Sequence, residues 1–224
     1  MNSNISLTHQ LLLMKSIKPL HTDIITNSMF SSGEDWKSNA CVAWSPDAIS
    51  LYIDGYRKAA DELAHLVVGS ARDRDILVYP IVFLYRQYIE LQLKKVIRES
   101  KILLSEGNDF PQHHRIKDLW NDAKGLMRKI IKTVDSGAKE YITQKDVETI
   151  DKIIIDFEGV DPESFTFRYP KDKAGNDNLN GISHINIRNL HDQMELLTEK
   201  LEKYDLVVGL LREWQSDMYS TYAP

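Results

Sequence analysis

The chain has 224 residues, with 42% apolar and 27% charged side chains and a formal net charge of −5, a balance near the globular average and far from the polar, highly charged compositions that stay disordered. That acidic total excludes a surface coated throughout for nucleic acid, although 11 Lys/Arg against 6 Asp/Glu between Arg86 and Lys132 leave room for one basic face. A single cysteine, Cys41, excludes an internal disulfide and a thiolate metal cluster, and the run Leu11 to Met14 is far short of a signal core or of the roughly 20 apolar residues that span a bilayer, so a reducing, cytoplasmic location without membrane insertion is expected.

Residues 1–44 read as an arm: a short amphipathic stretch from His9 to Ser16, then Pro19 and a turn at Ser31-Ser32-Gly33. Trp36 and Trp44 are expected to pin this arm to the main domain or to a second subunit, because two solvated indoles are costly. Residues 45–218 then read as one helical domain. Ser45-Pro46-Asp47 supplies an N-cap, a first-turn proline and an acid, which predicts a helix to about Val68 with Gly69 as its stop. Its apolar positions Ile49, Ile53, Tyr56, Ala60, Leu63 and Val67 recur at helical spacing.

A second helix is predicted from Pro80, where a missing N–H does least harm, to about Leu104, with Val82, Tyr85, Ile89, Leu93 and Val96 as its stripe. A third carries Ile116, Leu119, Ala123, Met127, Ile130 and Val134 on one face. A fourth opens at Thr143, with Asp146 as the capping-box acid, and ends at Gly159. Phe165, Phe167 and Tyr169 alternate with polar residues, the pattern of a half-buried strand that Ile185 and Ile187 could pair with. In the last segment Leu190, Met194, Leu197, Leu201, Tyr204, Val208 and Leu211 step by four and three, a heptad seam that fits the long helix of a bundle or a dimerising helix. The expected fold is mainly all-α: an antiparallel bundle of four to five long helices with a small β-hairpin or extended flap near 165–187.

No Gly-rich phosphate loop, His-Glu-x-x-His, Gly-x-Ser-x-Gly or EF-hand loop is present, so no cofactor and no metal is expected, and His184 and His191, seven residues apart, do not form a metal pair. Three places carry chemistry instead. Arg86, Glu90 and Lys94 recur every fourth residue, and Arg86 borders the apolar stripe, where a guanidinium needs a carboxylate or phosphate partner. His113-His114-Arg115 precedes the third helix; His114 is a candidate general acid or base with arginines beside it to hold a phosphate, or simply a solvated loop residue. The segment Asp161 to Asp172 joins aromatics to Arg168, a pairing that stacks bases and grips phosphates or else plugs the end of a bundle.

The order Tyr79-Pro80-x-x-Phe83-Leu84-x-Arg86-x-x-x-Glu90-Leu91-x-Leu93-Lys94, His114-x-Ile116-x-x-Leu119-Trp120, Asp161-Pro162 and Phe167-Arg168-Tyr169-Pro170 resembles divergent HEPN-domain proteins of bacteria, over about residues 45–210. The resemblance implies a helical bundle, often a homodimer, in a superfamily rich in ribonucleases of toxin–antitoxin and antiphage systems that cleave RNA without metal. Active members carry an Arg and a His with four to six residues between them; here Arg57 and His65 have seven residues between them, Arg188 and His191 have two, and Gln87 follows Arg86. The spaced Arg–His pair of active members is thus not intact, and the site expected in its place takes Arg86, Glu90 and His114 as the catalytic set and Lys94, Arg115 and Arg168 as RNA or phosphate contacts. The alternative expectation is a non-catalytic module that dimerises or regulates a partner protein in such a complex.

Overall fold

A computed structural model describes residues 28–42, 47–135 and 137–222. The chain divides into two units, Met1–Trp44 and Ser45–Pro224. In the first, Trp36–Ser38 forms a single 3₁₀ turn, and the Asn39 side chain closes a loop by bonding both the N–H and the carbonyl of Gly33 at 2.8 Å. Trp36 is 79% exposed. The amphipathic stretch from His9 to Ser16, Trp44 and the Ser45-Pro46 helix start lie outside the described residues.

The second unit contains six helices among the described residues and no strand: α1 (Ile49–Ser70), α2 (Arg74–Leu103), α3 (Ile116–Thr133), α4 (Ala138–Tyr141), α5 (Gln144–Val160) and α6 (Ile187–Tyr222). It is α2 that organises them, packing against α1, α3 and α6, while α5 packs on α3 and α6. A helix enclosed on several sides cannot be amphipathic, and α2 buries Tyr88, Gln92 and Ile97 as well as the predicted Val82, Tyr85, Ile89, Leu93 and Val96. None of the described helices is long and apolar enough to cross a membrane.

Two boundaries differ from the sequence pattern for identifiable reasons. α1 runs through Gly69 and stops at Ala71, whose left-handed φ of 55° turns the chain while its N–H caps the carbonyl of Val67 at 2.8 Å. Asp73, also left-handed at φ 56°, then starts α2 six residues before Pro80, accepting from Leu77 N–H at 2.8 Å. Pro80 thus sits inside the helix, where it denies the Ile76 carbonyl its usual donor. The predicted α5 start is present in full: Thr143 Oγ1 accepts from Asp146 N–H and the Asp146 carboxylate accepts from Thr143 N–H. Gly159 is helical, and α5 ends one residue later.

Residues 161–186 contain no strand, so the predicted paired strands are absent: turns and bends run to Gly181, residues 182–186 have no regular structure, and one isolated antiparallel bridge joins Lys171 and Asp177. The period-two reading fails because Phe165 and Tyr169, four residues apart, stack with ring centroids 4.6 Å from each other, which a strand would hold far apart. Ser164 at φ 58° and the Asp161 carboxylate, which accepts from Phe165 and Thr166 N–H at 2.6 and 2.9 Å, impose that turn. On α6 the heptad seam is buried by the chain's own core at Met194, Leu197, Leu201, Tyr204 and Val208, with Leu190 and Leu211 half-buried at its ends.

Candidate functional site

Arg86, Glu90 and Lys94 lie one turn apart on α2, and two loops close over them: the entry to α3 and the exit from α5. Arg86 is 0% exposed. Its Nη2 donates to the carbonyls of His114 at 2.6 Å and Pro162 at 3.3 Å, its Nε to the carbonyl of Asp161 at 3.4 Å, and its Nη1 to Glu90 Oε2 at 3.4 Å. Burial pulls the guanidinium below its ordinary pKa, with Glu90 and Asp161 opposing that shift. The side chain fastens the two loops to each other through main-chain oxygens, and its N–H groups face protein.

Glu90, 2% exposed at its side chain, is the centre of the cluster. Its Oε1 accepts from Lys94 Nζ at 2.9 Å and pairs with His114 Nδ1 at 2.8 Å, while Oε2 faces Arg86. The His114 side chain is 63% exposed. A carboxylate only accepts, so Nδ1 carries the proton of this pair. A buried acid that orients an exposed imidazole in one tautomer is the arrangement that prepares histidine for proton transfer.

The other predicted phosphate contacts are placed less directly. Arg115 is exposed and pairs with Asp118 at 2.7 Å. Arg168 lies 6.0 Å from the Phe83 ring, one turn before Arg86, and 5.8 Å from Tyr169, at the outer limit of cation–π contact. It lines a cleft of about 550 Å³ with Tyr79, Tyr169 and Asp177. A larger cleft of about 810 Å³, between the end of α1 and the start of α6, is lined by Arg74, Tyr79, Phe167, His184 and Arg188. Neither cleft is lined by Glu90 or His114. Most of the cations between Arg86 and Lys132 are paired within the chain, some with acids of the same segment, as in Lys101–Asp109, and Lys95 and Lys124 with Asp205 and Asp151 from outside it, so the local basic excess is partly neutralised.

A second polar cluster joins α1, α2 and α6 and was not anticipated from the sequence. The Tyr85 hydroxyl donates to Asp61 Oδ1 at 2.8 Å and lies 2.9 Å from His191 Nδ1. His65 meets His191 edge-on, ring centroids 4.7 Å apart. Burial, reinforced by Asp61, pushes the Tyr85 phenol well above its ordinary pKa, so it remains a hydroxyl donor. The signal was present as four-residue spacings, Arg57–Asp61–His65 on one helix and His191–Glu195 on another. It becomes meaningful only when α1 and α6 are known to be neighbours. His184, by contrast, bonds Ser183 and stays exposed.

No protein-family model, curated protein or solved structure matches the chain.

Proposed function

We propose that the chain is a HEPN-like protein of bacterial defence or stress response, an antiparallel helical bundle that binds RNA and cleaves it with His114 as general base. The observation that carries this reading is the pairing of an imidazole 63% exposed with a Glu90 carboxylate 2% exposed, 2.8 Å apart. In this mechanism His114 Nε2 takes the proton of a ribose 2′-hydroxyl, whose oxygen attacks the adjacent phosphorus. The P–O5′ bond breaks, leaving a 2′,3′-cyclic phosphate. The departing 5′ oxygen takes a proton from the protonated His114 of a second copy, which makes the active form a homodimer. Arg115 and Arg168 supply phosphate contacts, Tyr79 and Tyr169 offer exposed rings for bases, and Arg86 and Lys94 act through Glu90 as positioning residues.

The test is incubation of the purified chain with total RNA in EDTA beside His114→Gln and Arg168→Ala. Cleavage to cyclic-phosphate ends that His114→Gln abolishes, and that Arg168→Ala weakens through KM, supports the reading; RNA left intact by the parent protein rejects the catalytic part. Salt-dependent RNA retention would then separate binding from inertness.

One observation bears on the dimer that this mechanism and the alternative, a non-catalytic dimerisation module, both require. Leu206, Leu210, Trp214 and Met218 are exposed at every fourth position along the end of α6. A stripe of this kind fits the same stripe of a second copy.

A further inference from the structure

We infer that Asp61, His191 and Glu195 form a binding site for a divalent first-row transition-metal ion. Each offers one ligand atom, and these atoms lie within 4.8 Å of one another. An ion about 2.1 Å from each ligand spaces tetrahedral donors by roughly 3.4 Å, so closure on the ion asks for side-chain adjustments on the order of 1 Å. His191 and Glu195 come from one face of α6, one turn apart, and Asp61 from α1, so two rigid helices hold the donors and no loop has to be ordered.

The charges around this cluster are out of balance. Asp61, Glu195 and Glu202 share a single guanidinium, Arg57, which reaches Glu202 at 2.6 Å but stands 3.6 Å from Asp61 and 3.7 Å from Glu195. Those two distances are too long for hydrogen bonds, and the two carboxylates keep acceptor capacity that an ion can use. The Tyr85 hydroxyl donates to Asp61 Oδ1 and so accepts from His191 Nδ1–H, which leaves Nε2 as the ring nitrogen that binds the ion and gives Tyr85 the orienting role of an outer-shell group. One imidazole with two carboxylates selects zinc, manganese or iron over calcium and magnesium. Glu195 is half-exposed, so one side of the ion stays open to water.

The experiment is zinc titration by calorimetry of the full chain after EDTA dialysis, in a Cys41→Ser background that removes the thiol. One equivalent is expected to bind, at least tenfold more weakly in His191→Ala and Glu195→Gln. Arg57→Gln, which removes the competing cation, is expected to bind more tightly. Thermal melts in EDTA check folding: Glu195→Gln should match the parent protein there, and the parent should gain more on adding zinc. Equal zinc binding by the parent and Glu195→Gln, or no uptake by the parent, overturns the inference. RNA cleavage in EDTA concerns the Glu90–His114 pair alone, so the two readings fail separately.

Discussion

Arg86→Met is the sharpest test of how the candidate site is held together. The substitution keeps an unbranched side chain of similar length and removes the charge. It leaves the carbonyls of His114, Asp161 and Pro162 without their donor. The 2.6 Å contact to His114 is a charge-assisted bond of about 1.5–3 kcal/mol, whereas the two carbonyls at 3.3 and 3.4 Å contribute less. Removing one partner from a buried ion pair costs about 3–5 kcal/mol, and Lys94, which still neutralises Glu90, places this case at the lower end. The two figures overlap, so the expected loss is about 3–4 kcal/mol, a urea midpoint lower by roughly 1.5 M at a slope of about 2–3 kcal/mol per M. Arg86→Met/Glu90→Met should lose less than the two single variants summed, because the Arg86–Glu90 contact is lost in both, even though Lys94 is left without its partner. A loss under about 1 kcal/mol in the single variant, or simple additivity in the double, would refute the view that this guanidinium is a structural fastener.

The Asp146 carboxyl gives a pH prediction. Burial works to raise its pKa, but hydrogen bonds from the Thr143 N–H and hydroxyl and from Lys203 and Lys200 outweigh that and bring it down to about 2. A pKa depressed in the folded state adds stability above the unfolded value and loses it as pH falls, here between about pH 4 and pH 2. Lys203 is partly exposed, so screening discounts the contribution to about 1–2 kcal/mol; chemical melts at pH 5 and pH 2.5 should show Asp146→Ala losing less over that interval than the parent, and parallel losses count against the assignment. Tyr85→Phe leaves Asp61 and His191 without their shared hydroxyl and should cost about 1–2 kcal/mol in urea at neutral pH. His114→Gln should change stability by less than about 1 kcal/mol, because the ring is mostly exposed, so any loss of RNA cleavage in it is chemical rather than structural. Leu210→Lys should convert a dimer to a monomer by light scattering if the α6 stripe is the contact, and an unchanged mass removes that stripe from consideration.

Local patterns in the sequence were enough where burial has one direction. The capping box of α5, the α3 face from Ile116 to Ile130 and the α6 seam all follow from spacing, since each of these helices shows one side to the core. The pattern was insufficient where burial surrounds the chain. Arg86, Glu90 and Lys94 share a four-residue spacing that reads as a solvated ladder or as a site, and only the loops at 113–115 and 161–163, far apart in sequence, show that Arg86 and Glu90 are covered rather than solvated. The same limit hid Asp61 and His191: each looks like an ordinary helix-surface residue until α1 and α6 are placed side by side, 130 positions apart. The turn at 164–169 misled for a different reason. Aromatic alternation reports side-chain chemistry, whereas Ser164 and the Asp161 carboxylate set the backbone, and a capping acid that accepts two N–H groups overrides a weak period-two preference. The residues most informative about function are therefore those whose polar groups are satisfied across long sequence separations. Glu90 is the strongest case: one buried carboxylate receives an arginine, a lysine and an exposed histidine, and the histidine is the only one of the three with a free face.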